Sequence, residues 1–255
     1  LLECDLNRLL DGAECVYHQA AQAGVRASWG ENFSIYTQNN VLATQRLLEA
    51  AKGRPLRRFV YASSSSIYGD APELPVTEDT LPRPISPYGV SKLAAEHLCH
   101  LYWVNFGVPT VSLRYFTVYG PRQRPDMGFH KFIRALLTGQ EITIYGDGDQ
   151  TRDFTFVDDA VAANLACLEA DVVGQTFNVG GGSRISVNRV LSLLESMSGR
   201  KARLLRMESQ KGDVRDTFAD TSRARELLGF RPSVTIEEGL RRELEWLSGT
   251  LSTES

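Results

Sequence analysis

The chain has 255 residues, 42% of them hydrophobic and 23% charged, with a formal net charge of −3. This composition furnishes a core for one or two domains and excludes a disordered or fibrous chain. There is no basic stripe of the kind nucleic acid demands and no apolar run approaching a membrane span.

Strand-like and helix-like segments alternate, which predicts an α/β fold with crossover helices on a parallel sheet. Glu14–His18 reads as a short apolar strand, and Phe33–Ala51 as a helix ending at Lys52-Gly53. Arg58–Ala62 reads as a strand running into Ser63-Ser64-Ser65-Ser66. A loop with Pro72, Pro75, Pro82 and Pro84 follows. Ser86-Pro87 then opens a helix to Phe106 that Gly107 stops, with proline suited to the first turn. Pro109–Phe116 is β-branched and aromatic, hence a strand, and Phe129–Leu137 is a helix ended by Thr138-Gly139. Ile142–Tyr145 is a strand before the turn Gly146-Asp147-Gly148-Asp149, and Phe154–Val157 leads into a helix to Ala170. Gln175–Val179 is a strand, Ser186 caps a helix Val187–Ser198, and Ala202–Met207 is a strand. Helices near 221–228 and 236–248 close the chain.

The four cysteines, Cys4, Cys15, Cys99 and Cys167, have no C-x-x-C spacing, so free thiols in a reducing cytoplasm are expected. His97, Cys99 and His100 sit on one helix without a third partner of the right sort, so no metal site is expected.

The chemistry concentrates at Tyr88-Gly89-Val90-Ser91-Lys92. A tyrosine and a lysine four apart share one helix face. A nearby ammonium favours phenolate, which makes the pair a general base near neutral pH. The serines ending the preceding strand supply a hydroxyl for the same substrate oxygen.

Strand, serine run, Ile67-Tyr68-Gly69-Asp70, proline loop and Tyr-x-x-x-Lys helix, in this order, resemble the extended short-chain dehydrogenase/reductases. Within them the chain resembles the NAD-dependent nucleotide-sugar epimerases and dehydratases. The resemblance implies a Rossmann-like doubly wound parallel sheet in residues 1–120, with later segments returning to it, and a smaller nucleotide-sugar lobe mainly in residues 121–255. It also implies a glycine-rich pyrophosphate turn, and no G-x-x-G-x-x-G follows a strand here. That turn is expected upstream of Leu1, with the first β-α-β. The sequence is therefore read as an N-terminally truncated fragment, expected by itself to bind NAD poorly or to fold marginally.

By the same resemblance Tyr88, Lys92 and Ser64 are catalytic. Asp5-Leu6 holds adenine, His18-Gln19-Ala20-Ala21 lets the cofactor pass close to the backbone, Asn40 begins a helix and supports the site, and Tyr115 ends a strand near the nicotinamide. Ser65 and Ser66 stand where sugar 4,6-dehydratases carry Asp and Glu, which argues against dehydration. Thr117-Val118-Tyr119-Gly120-Pro121 and Arg124-Pro125-Asp126-Met127 resemble UDP-glucuronate 4-epimerases, so Thr117, Arg124 and Ser65 are expected to read a C5 carboxylate. Arg152 matches a diphosphate arginine and Asp213 a uridine-ribose ligand, while Gln210 stands where the family often has arginine, leaving Arg215 to compensate.

The expectation is NAD-dependent C4 epimerisation of a UDP-sugar, favouring UDP-glucuronate to UDP-galacturonate, by a cytoplasmic homodimer. UDP-glucose 4-epimerisation, net nucleotide-sugar oxidoreduction and a catalytically silent NAD-binding scaffold are the alternatives.

Overall fold

The computed structural model describes residues 1–254. In chain order the elements are α1 (Leu6–Leu9), β1 (Cys15–His18), α2 (Phe33–Tyr36), α3 (Ala43–Ala51), β2 (Arg58–Ser64), α4 (Pro87–Phe106), β3 (Thr110–Tyr115), β4 (Thr117–Tyr119) and α5 (Gly128–Thr138). Then come β5 (Glu141–Tyr145), β6 (Thr151–Phe156), α6 (Val157–Glu169), β7 (Thr176–Val179), β8 (Arg184–Ser186), α7 (Val187–Ser198), β9 (Arg203–Met207), α8 (Ser222–Leu227) and α9 (Ile236–Glu254).

The main sheet runs β1-β2-β3-β7 with every pairing parallel. Alternation along β2 explains why it needs helices on both faces. Phe59 and Tyr61 pack with Leu47 and Leu48 of α3 and Ala95 and Cys99 of α4. Val60 packs on the other face with Val111, Leu113, Ala163 and Cys167 beneath α6, and with Ala224 of α8. Each fully buried aromatic or aliphatic side chain here contributes about 1.5–3 kcal/mol relative to exposure. The expected doubly wound architecture is therefore present, with Rossmann-like crossovers.

A second core lies past Phe116. Tyr119, Phe129, Ile133, Phe154, Phe156, Leu191, Leu240 and Leu244 join β4 and β6 to α5, α7 and α9. Two small sheets frame it, β4-β6-β8 and the parallel pair β5-β9. The chain crosses back to the main sheet through α6, β7 and α8, which pack on the first core.

Several boundaries differ from those the sequence predicts. The β2 strand extends through Ser63 and Ser64, since the backbone stays in register with Arg114 and Tyr115 of β3. The short strand β8 has no local signal, because its pairing with β6 is long-range. Residues Phe33–Ala51 are helical throughout, but Thr37–Leu42 is a π-helical segment between α2 and α3. Asn40 thus lies inside a helix, not at its start. The final helix continues past 248 to Glu254.

Candidate active site

The serine turn and the start of α4 are forced together by a glycine. A Cβ on Gly89 would lie 2.5 Å from the Ser66 carbonyl oxygen and 2.9 Å from Pro84 Cβ. Only glycine allows that approach, and it sets Tyr88 beside Ser64. Ser86 caps α4 by accepting from the Gly89 N–H at 3.1 Å, and Pro87 occupies the first turn. Ser64 ends β2, and its hydroxyl oxygen accepts from the Ser66 N–H at 3.2 Å.

Tyr88 packs edge-on against Tyr36, with ring centroids 6.2 Å apart. Burial raises its pKa, while a hydrogen bond with Ser64 and the charge of Arg124 act the other way. The pull toward phenolate in this structure therefore comes from Ser64 and Arg124, whereas the four-residue spacing predicts it from Lys92. Lys92 is 3% exposed, and its ammonium sits 4.5 Å from the centre of the Tyr61 ring with no carboxylate paired to it among the described residues. Burial lowers its pKa to about 8. A buried, unpaired ammonium one helical turn from Tyr88 is a donor ready for hydroxyl oxygens of a ligand.

Around this pair the backbone is braced. Asn40 accepts from the Gln22 N–H at 2.7 Å and donates to the Gln22 carbonyl at 3.0 Å and the Ser91 hydroxyl at 2.9 Å. The π-helical segment turns this asparagine inward; such bulges recur at functional sites. Thr44 donates to the Asn40 carbonyl at 2.7 Å, so the 2.8 Å contact between His18 Nε2 and Thr44 requires the proton on His18. Burial holds that imidazole neutral, with a pKa lowered to about 4.

Beneath the serines lies a buried polar network that no local motif announces. Ser63 donates to Glu96 at 2.5 Å, and Arg114 meets the same carboxylate through Nη2 at 2.6 Å and Nε at 3.1–3.2 Å. Arg114 Nη1 donates to the Tyr68 hydroxyl at 2.7 Å, and Tyr68 donates to Asn178 at 2.7 Å. Asn178 is therefore a structural group. A charged Arg114 inside the apolar strand β3 is the one signal in the sequence, and its partners come from α4 (Glu96) and from the segment between β2 and α4 (Tyr68 and the Glu78 carbonyl).

The remaining predicted residues divide by place. Gln19, Ala20 and Ala21 form an exposed turn after β1, small enough for a flat ligand to lie against the backbone. Gln19 and Tyr115 are linked through Asn164 of α6, at 3.0 and 2.6 Å. Asp5 is exposed and caps α1 by accepting from Asn7 and Arg8, and Leu6 is buried beside it. Ser65 is half-buried in the turn after β2, and Thr117 opens β4. Arg124 stands close enough to Tyr88 to act on its charge, and it makes a forked pair with Asp126 at 2.9 Å in both contacts. Arg152 donates to the Arg215 carbonyl at 2.7 Å and shares its field with Asp70, Asp213, Asp216 and Arg26. Asp213 is held by Arg26 at 2.7 Å, and Arg26 stacks 4.1 Å from the Tyr145 ring centre. Nothing local in the sequence marks Arg26, because Asp213 and Tyr145 lie far along the chain.

A separate cavity of about 250 Å³ is lined by Glu96, His97, His100, Arg114 and Thr176 among others, and Tyr88, Lys92 and Ser64 are not part of its lining. No group of His, Cys, Asp and Glu among the described residues is arranged to hold a metal ion.

A parallel sheet wound by helices on both faces, with serine, tyrosine and lysine converging at strand ends, defines a short-chain dehydrogenase/reductase. Comparison narrows this class: the model of the NAD dependent epimerase/dehydratase family matches residues 3–180, and the chain belongs to that family. It is 47% identical over 249 residues to an uncharacterized UDP-glucose epimerase, YtcB, of Bacillus subtilis (strain 168), covering 97% of this chain and 78% of the relative. It is 42% identical to the UDP-glucuronate 4-epimerase of Thermodesulfobacterium geofontis, covering 91% of this chain and 71% of that one. The crystal structure of UDP-glucuronic acid 4-epimerase from Bacillus cereus with UDP-glucuronic acid and NAD superposes with a TM-score of 0.95 at 47% identity, covering 98% of this chain and 80% of that one.

Proposed function

We propose that the chain catalyses NAD-dependent C4 epimerisation of a UDP-sugar, with UDP-glucuronate and UDP-galacturonate as the preferred pair. The observation that carries the uronate reading is the placement of Arg124 within electrostatic reach of the Tyr88 hydroxyl. A guanidinium there can meet a carboxylate on the carbon next to the reacting one. The Asp126 side chain, already forked to Arg124, supports a guanidinium oriented for a carboxylate.

The unpaired ammonium of Lys92 and the exposed Gln19-Ala20-Ala21 turn fit a dinucleotide, with Asp5 and Leu6 toward its adenine end and Asn40 bracing the backbone between. Bound NAD supplies the acceptor and donor of hydride for the sugar carbon. Tyr88 takes the O4 proton as phenolate and returns it. Ser64 hydrogen-bonds O4 and relays that proton. Lys92 holds ribose hydroxyls, while Ser64 and Arg124 favour the phenolate. Tyr115 closes the nicotinamide side. Arg152, with Arg215, meets the diphosphate, and Asp213, held by Arg26, the uridine ribose. These nucleotide contacts stay fixed, so their binding energy retains the oxidised sugar while it turns over. Thr117, Ser65 and Arg124 hold the carboxylate and oppose its loss as carbon dioxide.

The two cores support the division near residue 120, with the nucleotide-sugar lobe built on β4, β6, α5, α7 and α9. A homodimer through α3 and α4 is supported by exposed Leu42, Val90, Leu101 and Val104, whereas Leu93 and Leu98 pack inward. No helix among the described residues is long and apolar enough to cross a membrane, and a cytoplasmic location is part of the proposal.

Proton NMR of the protein with NAD and either UDP-glucuronate or UDP-glucose tests the reading. UDP-galacturonate as the favoured product is expected. UDP-galactose alone would leave the Tyr88 chemistry standing and remove the carboxylate assignment.

A further inference from the structure

The loop that carries Arg124 begins at Gly120, and an unusual group holds its first residue. Glu243 of α9 is wholly buried, and its Oε2 accepts from the Gly120 N–H at 2.9 Å. Its other oxygen, Oε1, is buried without a hydrogen-bond partner. A buried carboxyl with half its capacity unused costs stability, so its retention calls for a function.

The surroundings of Gly120 show why an anchor matters there. Its φ is 134°, and a Cβ would lie 2.8 Å from Val157 and 2.9 Å from the Phe156 ring. The backbone therefore passes hard against the junction of β6 and α6. Arg122 follows with φ 68°, so the loop turns sharply twice within three residues. Downstream the path is tied by local groups: Gln123 donates to the Val118 carbonyl at 3.2 Å and accepts from the His130 N–H at 3.0 Å. His130 also contacts the Gln123 carbonyl at 3.0 Å. Those ties fix the end of the loop to α5. The start of the loop is held from a distance, by Glu243, 123 positions away. Thr117 lies on the strand leading into the same residue.

We propose that Glu243 is a positioning residue for sugar recognition, which fixes Gly120 so that Thr117 and Arg124 meet the substrate carboxylate together. The inference deepens the uronate reading above and rests on it. The last helix of the chain thereby reaches the sugar pocket without touching it. The acceptor on Oε2 does the positioning; its charge is not needed. Burial raises the pKa to about 8, so the group is mostly the neutral acid at neutral pH.

The test pairs a structural and a kinetic readout on Glu243→Met, which keeps the volume and removes the acceptor, and Glu243→Gln, which keeps an acceptor. In the Met variant, hydrogen exchange is expected to quicken at 120–127 while β2 and α4 stay protected. KM for UDP-glucuronate is expected to rise about tenfold, against less than twofold for UDP-glucose, a difference typical of removing one buried hydrogen bond. Glu243→Gln is expected to restore both readouts. Glu243→Asp withdraws the acceptor by one methylene and gives the same pattern at smaller size, which covers failure of the Met variant to fold. Unchanged exchange at 120–127, or equal losses on both sugars with no rescue by Gln, would overturn the proposal. If the wild type turns over both sugars alike, the uronate reading fails instead, and exchange at 120–127 alone decides whether Glu243 anchors the loop.

Discussion

The two halves of the molecule hold their functional groups in different ways. On the sheet side, Ser64 ends a strand, Tyr88 and Lys92 share one helix face, and Gly89 locks that helix against the serine turn. On the lobe side, Arg124, Arg152 and Asp213 are at loops or strand ends, and each is engaged by another side chain or a backbone carbonyl. The proposed reacting groups thus sit on rigid elements, where an error of an ångström is costly, and the proposed recognition groups are held by exchangeable surface ion pairs or, for Arg152, by backbone carbonyls. A substrate that must turn within its site needs both: reacting groups that stay, and contacts that can be traded.

Substitutions on each side test that contrast. Tyr88→Phe should have the largest effect, about a thousandfold or more in kcat on every sugar, because it removes the proton acceptor itself. A rate near wild type in a coupled product assay would sink the mechanism. Breaking the pair beneath the serines comes next. Glu96→Gln leaves Arg114 buried with its charge uncompensated, and about 3–5 kcal/mol of stability should be lost in urea unfolding. A cost below about 1 kcal/mol would show the network to be as replaceable as the surface pairs of the lobe.

Arg124→Ala should lower kcat/KM for UDP-glucuronate by about 30- to 100-fold, with UDP-glucose within about threefold, because only the uronate makes a charged hydrogen bond there. Equal losses on both would place Arg124 among the general supports of Tyr88. Glu243→Gln should change the pH dependence of stability. The carboxyl binds its proton more tightly folded, about 8, than at its ordinary 4.5, so the folded state gains stability below 4.5 and loses it as pH rises toward 8. In the Gln variant that slope, at most about 1.4 kcal/mol per pH unit, should flatten in unfolding midpoints taken from about pH 5 to 8. Tyr119 beside it is pushed up by burial and by the Glu243 charge, so it stays a neutral phenol across this range in both proteins. The smallest effect is expected at Arg26→Ala, which removes an exposed pair with Asp213 worth about 1 kcal/mol or less and should barely move the melting temperature. A large loss of UDP-sugar affinity there would assign Arg26 to the diphosphate.

Much of the fold and part of the site are legible in the chain. Alternating strands and helices point to the doubly wound sheet, because hydrophobic period is a local property. The Tyr88–Lys92 face follows from helix geometry alone, and Ser86-Pro87 and Gly107 mark the helix ends by their own chemistry. The extension of β2 through Ser64, the π-helical turn that aims Asn40, and the pairing of β8 are not legible. Each depends on a partner strand or a packed neighbour far along the chain. The pull on Tyr88 is the clearest case: spacing points to Lys92, whereas the fold places Arg124 and Ser64 where they act on the phenol and leaves Lys92 over Tyr61. Side-chain type and short spacing suffice to say which elements form and which residues can do acid–base chemistry. Which charges meet is settled only when distant segments pack, because burial and approach set the strength of every electrostatic contact.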